Sequence, residues 1–253
     1  MIKIETFRFI IYCWIALAVF LFPLLLKVTA PYGRHLKANW GPMISNKIGW
    51  VLMELPALVV FMAFFLLGDS KKSLVVWIFF AIWVLHYTNR SLIFPFRTRT
   101  KGKKMPLIII VFAIFFNLMN GFLNGYWFGN FSSVYHLTWL TNPRFIIGSM
   151  VFVAGFGLNQ WADKKLLNLR MKPGDNYFIP RGGLFNYISC PNFLGEMIEW
   201  TGFAIMAWNP AALSFAVWTV ANLLPRALDH HKWYQEYFSD YPKKRKSIIP
   251  FLL

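Results

Sequence analysis

Apolar runs of near membrane-crossing length recur along almost the whole of this 253-residue chain, and that recurrence leaves few folds open. A helix needs about 20 such residues to cross roughly 30 Å of hydrocarbon. The runs are Phe7–Leu26, Val51–Leu67, Leu74–Phe94, Leu107–Trp127, Phe145–Leu158 with a polar extension to about Arg170, Phe193–Trp208 and Ala211–Leu228. They lack the period-2 alternation of barrel strands, which are about 10 residues long. The expected fold class is therefore all-α, an integral membrane bundle of seven transmembrane helices. Gly68-Asp-Ser-Lys-Lys-Ser73 joins the second and third segments and Asn209-Pro210 the sixth and seventh, so both pairs read as antiparallel hairpins. No repeat or linker marks a second domain, and 1–253 reads as one.

With 57% hydrophobic and only 14% charged residues, the composition excludes disorder and an ordinary soluble domain. Cys13 and Cys190 lie far apart, so neither a disulfide framework nor a thiolate zinc site is available. The charges are lopsided, 26 Lys and Arg against 10 Asp and Glu. Most of the basic residues fall in the loops after segments one, three and five and in the tail; Lys3, Arg8, Lys71, Lys72 and Arg144 fall on the other side. Because basic residues collect in cytoplasmic loops, the amino terminus is predicted outside and the carboxyl terminus inside. The membrane is a bacterial inner membrane or the endoplasmic reticulum. Val28-Thr29-Ala30 has the look of a cleavage site, but the first run exceeds a signal core and basic residues come after it, so it reads as a span. The basic tail Lys243-Lys244-Arg245-Lys246 reads as an anchor to anionic headgroups, with no nucleic-acid partner.

Ionisable residues at membrane depth are costly and tend to be functional. Asn159, Asp163 and Arg170 share a helical face on the fifth segment and its extension; Asn192, Glu196 and Glu199 share one on the sixth, and Arg226, His230 and Tyr234 on the seventh. Mutual pairing, Arg226 with Glu196 and Arg170 with Asp163, is one account of them. With Tyr177 and the Arg181-Gly182-Gly183 turn, the set also suits a cleft for an anionic, ring-bearing cofactor such as a dinucleotide. Phosphates take Arg, Lys and backbone N–H groups, and ribose hydroxyls and amides take Asn, Asp and Glu.

No G-x-G-x-x-G and no G-x-x-x-x-G-K-[ST] is present, so a nucleotide site must be built from the helices themselves. A serine-hydrolase elbow and the H-E-x-x-H arrangement are also missing. Asp229, His230, His231 and Glu236 make only a weak metal candidate, and no metal is expected. In the amino half, Glu54 stands among apolar neighbours with Pro56 two residues on. A carboxyl so placed is disposed to stay protonated and to donate a hydrogen bond near neutrality. Its alternative role is as a partner of His86 or Arg90. Tyr87, in the polar run His86-Tyr-Thr-Asn-Arg90, is a second possible donor or a member of the interfacial aromatic belt.

These residues also form an ordered set of motifs: Glu54-Leu-Pro56, His86-Tyr87-x-x-Arg90, Asn120-Gly121-x-x-Asn124-Gly125-Tyr126, Lys172-Pro-Gly174, Ile179-Pro-x-Gly-Gly-Leu-Phe185, Asn192-Phe-Leu-Gly-Glu196, Glu199-Trp200 and Arg226-Ala-x-x-His230. Asp240-Tyr-Pro-Lys243 and Ile249-Pro-Phe251 close the series. In this combination the chain resembles the steroid 5α-reductases, from about residue 45 to its end. The resemblance implies a seven-helix membrane enzyme that uses NADPH to reduce the 4,5 double bond of a 3-oxo-Δ4-steroid entering from the bilayer. It implies that Glu54 and Tyr87 meet the 3-keto oxygen and that Phe116 and Asn120 line the steroid pocket, in the amino half (about 7–127). It places Asn159, Asp163, Arg170, Tyr177, Asn192, Glu196, Arg226, His230 and Tyr234 around the dinucleotide, in the carboxyl half (about 145–253). One position departs: Met53 stands where family members often carry Gln. Reduction of another enone or isoprenoid lipid, S-adenosylmethionine-dependent methyl transfer and a non-catalytic lipid-binding role are the alternatives.

Overall fold

The structure is a computed structural model that describes residues 2–37, 39–98, 102–169 and 177–253. Its principal elements are α1 (Ile4–Leu25), β1 (Met43–Ser45), α2 (Asn46–Leu67), α3 (Leu74–Thr88), α4 (Phe94–Arg97), β2 (Lys104–Pro106), α5 (Leu107–Asn130), α6 (Pro143–Leu169), α7 (Pro191–Ala207) and α8 (Pro210–Tyr237). A π-helical turn, Asn89–Ile93, joins α3 to α4, so helix runs without a break from residue 74 to 97. Among the described residues, five helices (α1, α2, α5, α6 and α8) are long and apolar enough to cross a membrane. The chain is an integral membrane protein, and five of the seven expected spans stand by length and composition. Alone, α3 with 15 residues and α7 with 17 are shorter.

The chain forms two compact units, residues 1–11 with 30–145 and residues 12–29 with 146–253, so that α1 contributes to both. In the first, β1 and β2 pair antiparallel, Ile44 opposite Met105, and each leads directly into a long helix, α2 or α5. The contacts of those two helices advance together: Asn117 Nδ2 donates to the Met53 carbonyl at 2.5 Å, Gly121 meets Ala57 and Gly125 meets Phe61. They therefore run parallel, in contact through the stripe Gly121, Gly125, Gly129. A Cβ on Gly125 would stand 2.6 Å from the Phe61 oxygen, so only glycine permits this approach. In lipid, where helices gain nothing by hiding apolar faces from one another, such close backbone packing supplies the attraction. Helix α3 closes on α2 through Trp83, whose indole donates to the Ala57 carbonyl at 3.0 Å and stacks on Phe61 at 4.7 Å.

In the second unit α6 and α7 meet through glycines seven residues apart, Gly148 and Gly155 against Gly195 and Gly202. Seven residues are nearly two helical turns, so each pair shares a face. Gly148 faces Met206, Gly155 faces Glu199 and Gly195 faces Asn159, which makes the pair antiparallel. The α7–α8 hairpin is set by local chemistry. Trp208 ends α7 in the left-handed region (φ 47°), the Asn209 side chain accepts from Ala212 N at 2.9 Å, and Pro210 opens α8 where no N–H is needed. Phe193, Cys190, Leu223, Ala227 and Ile248 form the apolar cluster beneath the other end of the hairpin.

Candidate functional site

In the first unit, α2 carries Glu54 and the π turn carries Arg90, and their side chains meet: Arg90 Nε lies 3.7 Å from Glu54 Oε1, with 18% and 14% of the two side chains exposed. The Arg90 guanidinium also stands over the rings of Trp50 (5.1 Å) and Phe94 (5.4 Å), and the Trp50 indole donates to the Arg90 carbonyl at 3.2 Å. A single π turn inside an α-helix shifts the helical phase of the turns beyond it, a feature common at functional sites. Glu54 therefore stands beside a caged guanidinium, the Arg90 partnership that its sequence offers as the alternative to a carboxyl among apolar groups alone. Tyr87, three residues before Arg90, is buried against Trp83 (ring centroids 5.1 Å), and its carbonyl accepts from Ser91 Oγ at 2.6 Å.

Phe116 and Asn120 lie on α5. Asn120 is fully buried and donates from Nδ2 to the Phe116 carbonyl at 2.8 Å, and Asn124, one turn on, donates to the Asn120 carbonyl at 3.1 Å. Asn124 Oδ1 is buried without a hydrogen-bond partner among the described residues. The sequence motif includes Asn124 but assigns it no role; an asparagine beside two glycines on an apolar helix is the available signal.

In the second unit the close α6–α7 approach brings two expected cofactor residues together, Asn159 Nδ2 donating to the Asn192 carbonyl at 3.0 Å. Glu196 stands one turn further along α7, Asp163 one turn further along α6. Helix α8 faces the same end of α7, with the His230 ring 5.4 Å from that of Phe193. Arg226, His230 and Tyr234 succeed one another at four-residue steps along α8, which runs unbroken through all three. Tyr177 packs its ring 4.8 Å from Trp233, beside Tyr234. Asp163, Tyr177, Asn192, Glu196, Arg226 and His230 are partly exposed, Asn159 and Tyr234 buried. Arg170 and the Lys172-Pro-Gly174 motif lie outside the described residues. The donor set suits a dinucleotide: carboxylates and amides for hydroxyls, a guanidinium for phosphate, an aromatic face for a ring. A separate cavity of about 680 Å³ in this unit is lined by Phe22, Ile205, Leu213, Val217 and other mostly apolar groups, which does not suit phosphates.

The loop before α7 clarifies its glycines. Gly182 (φ 88°) and Gly183 (φ 59°) occupy conformations that favour glycine, and a Cβ on Gly183 would fall 2.6 Å from the Trp161 ring. Gly182 N donates to Asn186 Oδ1 at 2.6 Å and its carbonyl accepts from Lys165 Nζ at 3.2 Å. Among the described residues no three of His, Cys, Asp and Glu converge as metal ligands. Both His231 ring nitrogens are engaged, Nδ1 by Ser189 Oγ at 2.6 Å and Nε2 by Gln235 at 3.0 Å. The basic tail needs a correction. Lys243 and Lys244 are exposed, but Arg245 is 3% exposed, its guanidinium 4.9 Å from the Tyr241 ring, so it is no headgroup anchor.

Residues 103–253 match the family described as 3-oxo-5-alpha-steroid 4-dehydrogenase. The chain is similar to the steroid 5-alpha-reductase DET2 of Solanum lycopersicum, 42% identical over 252 residues that cover 98% of this chain and 97% of the relative. It is 42% identical to 3-oxo-5-alpha-steroid 4-dehydrogenase 1 of Bos taurus, covering 94% and 93%, and 39% identical to that of Homo sapiens, covering 89% and 87%.

Proposed function

The chain belongs to the 3-oxo-5-alpha-steroid 4-dehydrogenase family, and from that premise we propose that it is an NADPH-dependent membrane reductase of the 4,5 double bond of a 3-oxo-Δ4-steroid. The observation that carries this reading is identity of about 40% over nearly the whole of relatives named as steroid 5-alpha-reductases. In this reading the amino half receives the steroid from the bilayer and the carboxyl half holds the dinucleotide. The α3–α4 run and α7 are the remaining two spans, and the amino terminus lies outside.

The chain's own groups account for the chemistry. When bound, NADPH supplies the hydride. As the β-carbon of the enone accepts it, the π electrons move onto the conjugated oxygen, and donors aimed at that oxygen lower the barrier. Tyr87 and, once its carboxyl carries a proton, Glu54 are those donors, in surroundings of low water content where such contacts count most. Arg90 holds the Glu54 side chain and places fixed positive charge beside the developing enolate. A proton at the α-carbon then completes the reduction. On the other unit, Arg226 takes phosphate, while Asn159, Asp163, Asn192 and Glu196 take hydroxyl and amide groups, with Tyr177, His230 and Tyr234 on ring faces.

Purified protein in detergent, supplied with NADPH and either testosterone, progesterone or an enoyl-CoA, tests the reading. Reduction of a steroid is expected; robust enoyl-CoA reduction without steroid turnover would reassign the substrate. Thermal stabilisation by S-adenosylmethionine and not by NADPH would overturn the reaction class.

A further inference from the structure

Two residues ahead of α7, a serine sits where three separate stretches of the second unit meet. Ser189 is 3% exposed, and its Oγ lies 2.6 Å from His231 Nδ1 on α8, 2.6 Å from the Tyr241 hydroxyl beyond α8, and 3.1 Å from the Lys246 carbonyl. A hydroxyl has one proton to give and two lone pairs to receive. The Lys246 oxygen can only accept, so Ser189 donates there and accepts from both Tyr241 O–H and His231 Nδ1–H. That choice leaves His231 Nε2 as an acceptor, and the Gln235 amide supplies a donor to it at 3.0 Å. Arg245 Nη1 in turn reaches the Tyr241 oxygen at 3.4 Å. One proton arrangement thus serves Ser189, Tyr241, His231 and Gln235 together, and Ser189 Oγ is saturated within it.

The network borders the polar stripes on two sides. Tyr234 stacks on Tyr241, the rings 5.3 Å apart and inclined by 10°, and His230 adjoins His231 in sequence. Asn192 comes three residues after Ser189, at the start of α7. The backbone of 187–190 is tied to the tail at the same place, with Ser189 N donating to the Lys246 carbonyl at 2.9 Å and Cys190 N to that of Ser247 at 3.1 Å. A rotation of the last turns of α8 would break the His231 bond and move Tyr234 with it.

We infer that Ser189 and the Tyr241 hydroxyl are positioning residues for the cofactor site: they fix α8 against the start of α7 so that Tyr234, His230 and Asn192 keep their mutual places, without touching the cofactor. The inference rests on the NADPH reading, and the test separates the two. Ser189→Ala, Tyr241→Phe and the double variant are made in the full-length protein; NADPH binding is monitored by fluorescence, and steady-state kinetics are recorded for cofactor and steroid. Loss of one buried hydrogen bond at the network corresponds to about a tenfold rise in the KM and Kd for NADPH. The kcat and the steroid KM are expected to stay within about twofold. Because both substitutions remove the same Ser189–Tyr241 hydrogen bond, the double variant should be no worse than about the stronger single one. A purely structural role would lower the unfolding temperature with the NADPH KM unmoved, and that result overturns the inference while leaving the cofactor reading intact. Wild-type protein that binds no NADPH overturns both. Should Ser189→Ala not fold, Tyr241→Phe, which keeps the ring on Tyr234, decides the matter by the same KM.

Discussion

Arg90 reaches from a π-helical turn to within 3.7 Å of Glu54 on the neighbouring helix, its guanidinium held over Trp50 and Phe94. Donors aimed at a developing oxyanion are each worth roughly 10²–10³ in rate. Glu54→Leu, which removes the donor, is accordingly expected to lower kcat by about a hundredfold while NADPH binding stays as in the wild type. Tyr87→Phe should lose about tenfold to a hundredfold. Measuring kcat and NADPH affinity on the same preparations checks both, and a kcat within twofold of wild type in both variants would contradict the assigned roles.

The nucleotide contacts are separable from the chemistry. A hydrogen bond to a charged group contributes about 1.5–3 kcal/mol, equivalent to about a tenfold to a hundredfold change in binding. Arg226→Ala should raise the NADPH KM by that factor and leave the steroid KM within about twofold. Titration of NADPH fluorescence gives the direct comparison; unchanged affinity would remove Arg226 from the cofactor site.

How much of this is legible in the sequence depends on the kind of residue. Long apolar runs announce the helices, and Asn209-Pro210 announces the α7–α8 turn, because both signals are local. The Gly148–Gly155 and Gly195–Gly202 faces are not legible, since a glycine in an apolar run carries no sign of what approaches it. The Ser189 network joins residues more than 40 positions apart, beyond any motif. Arg245 reads as solvated because charge runs usually are, and only the Tyr241 ring explains why it turns inward. Glu54 stands out as unusual, but its geometry with Arg90 depends on a π turn that no spacing in the sequence announces.

The glycine interface makes a sharp prediction about stability. A Cβ on Gly155 would lie 2.7 Å from the Gly195 oxygen and the Glu199 Cα, backbone atoms that cannot step aside, whereas Gly157 has nothing within 4 Å. Overpacking of this kind costs about 1–3 kcal/mol, and relief of helical glycine contributes up to about 1 kcal/mol. Gly155→Ala should lower the unfolding temperature in detergent, and Gly157→Ala should leave it unchanged or raise it. Equal behaviour of the two would argue against the close α6–α7 contact.

Alkaline pH should loosen the tail. Burial pushes the Tyr241 hydroxyl above its usual value, only partly offset by its bond to Ser189 and by Arg245. A group whose folded value is raised gives stability that is complete below its unfolded value, about 10, and is lost as pH climbs toward the folded value. Between pH 9 and about 11 the wild type should therefore lose thermal stability faster than Tyr241→Phe, which has no proton to lose there. Parallel pH profiles in the two proteins would refute the assignment.

The central claim is hydride transfer from NADPH to a steroid enone, and isotopic labelling tests it most directly. Purified protein is given progesterone with NADPH carrying deuterium at the nicotinamide C4, in two preparations labelled on opposite faces. The account predicts a saturated 3-oxo product with deuterium at C5 from one preparation only, and a solvent-derived hydrogen at C4. Unreduced steroid, or a reduced product free of deuterium from both preparations, would contradict it.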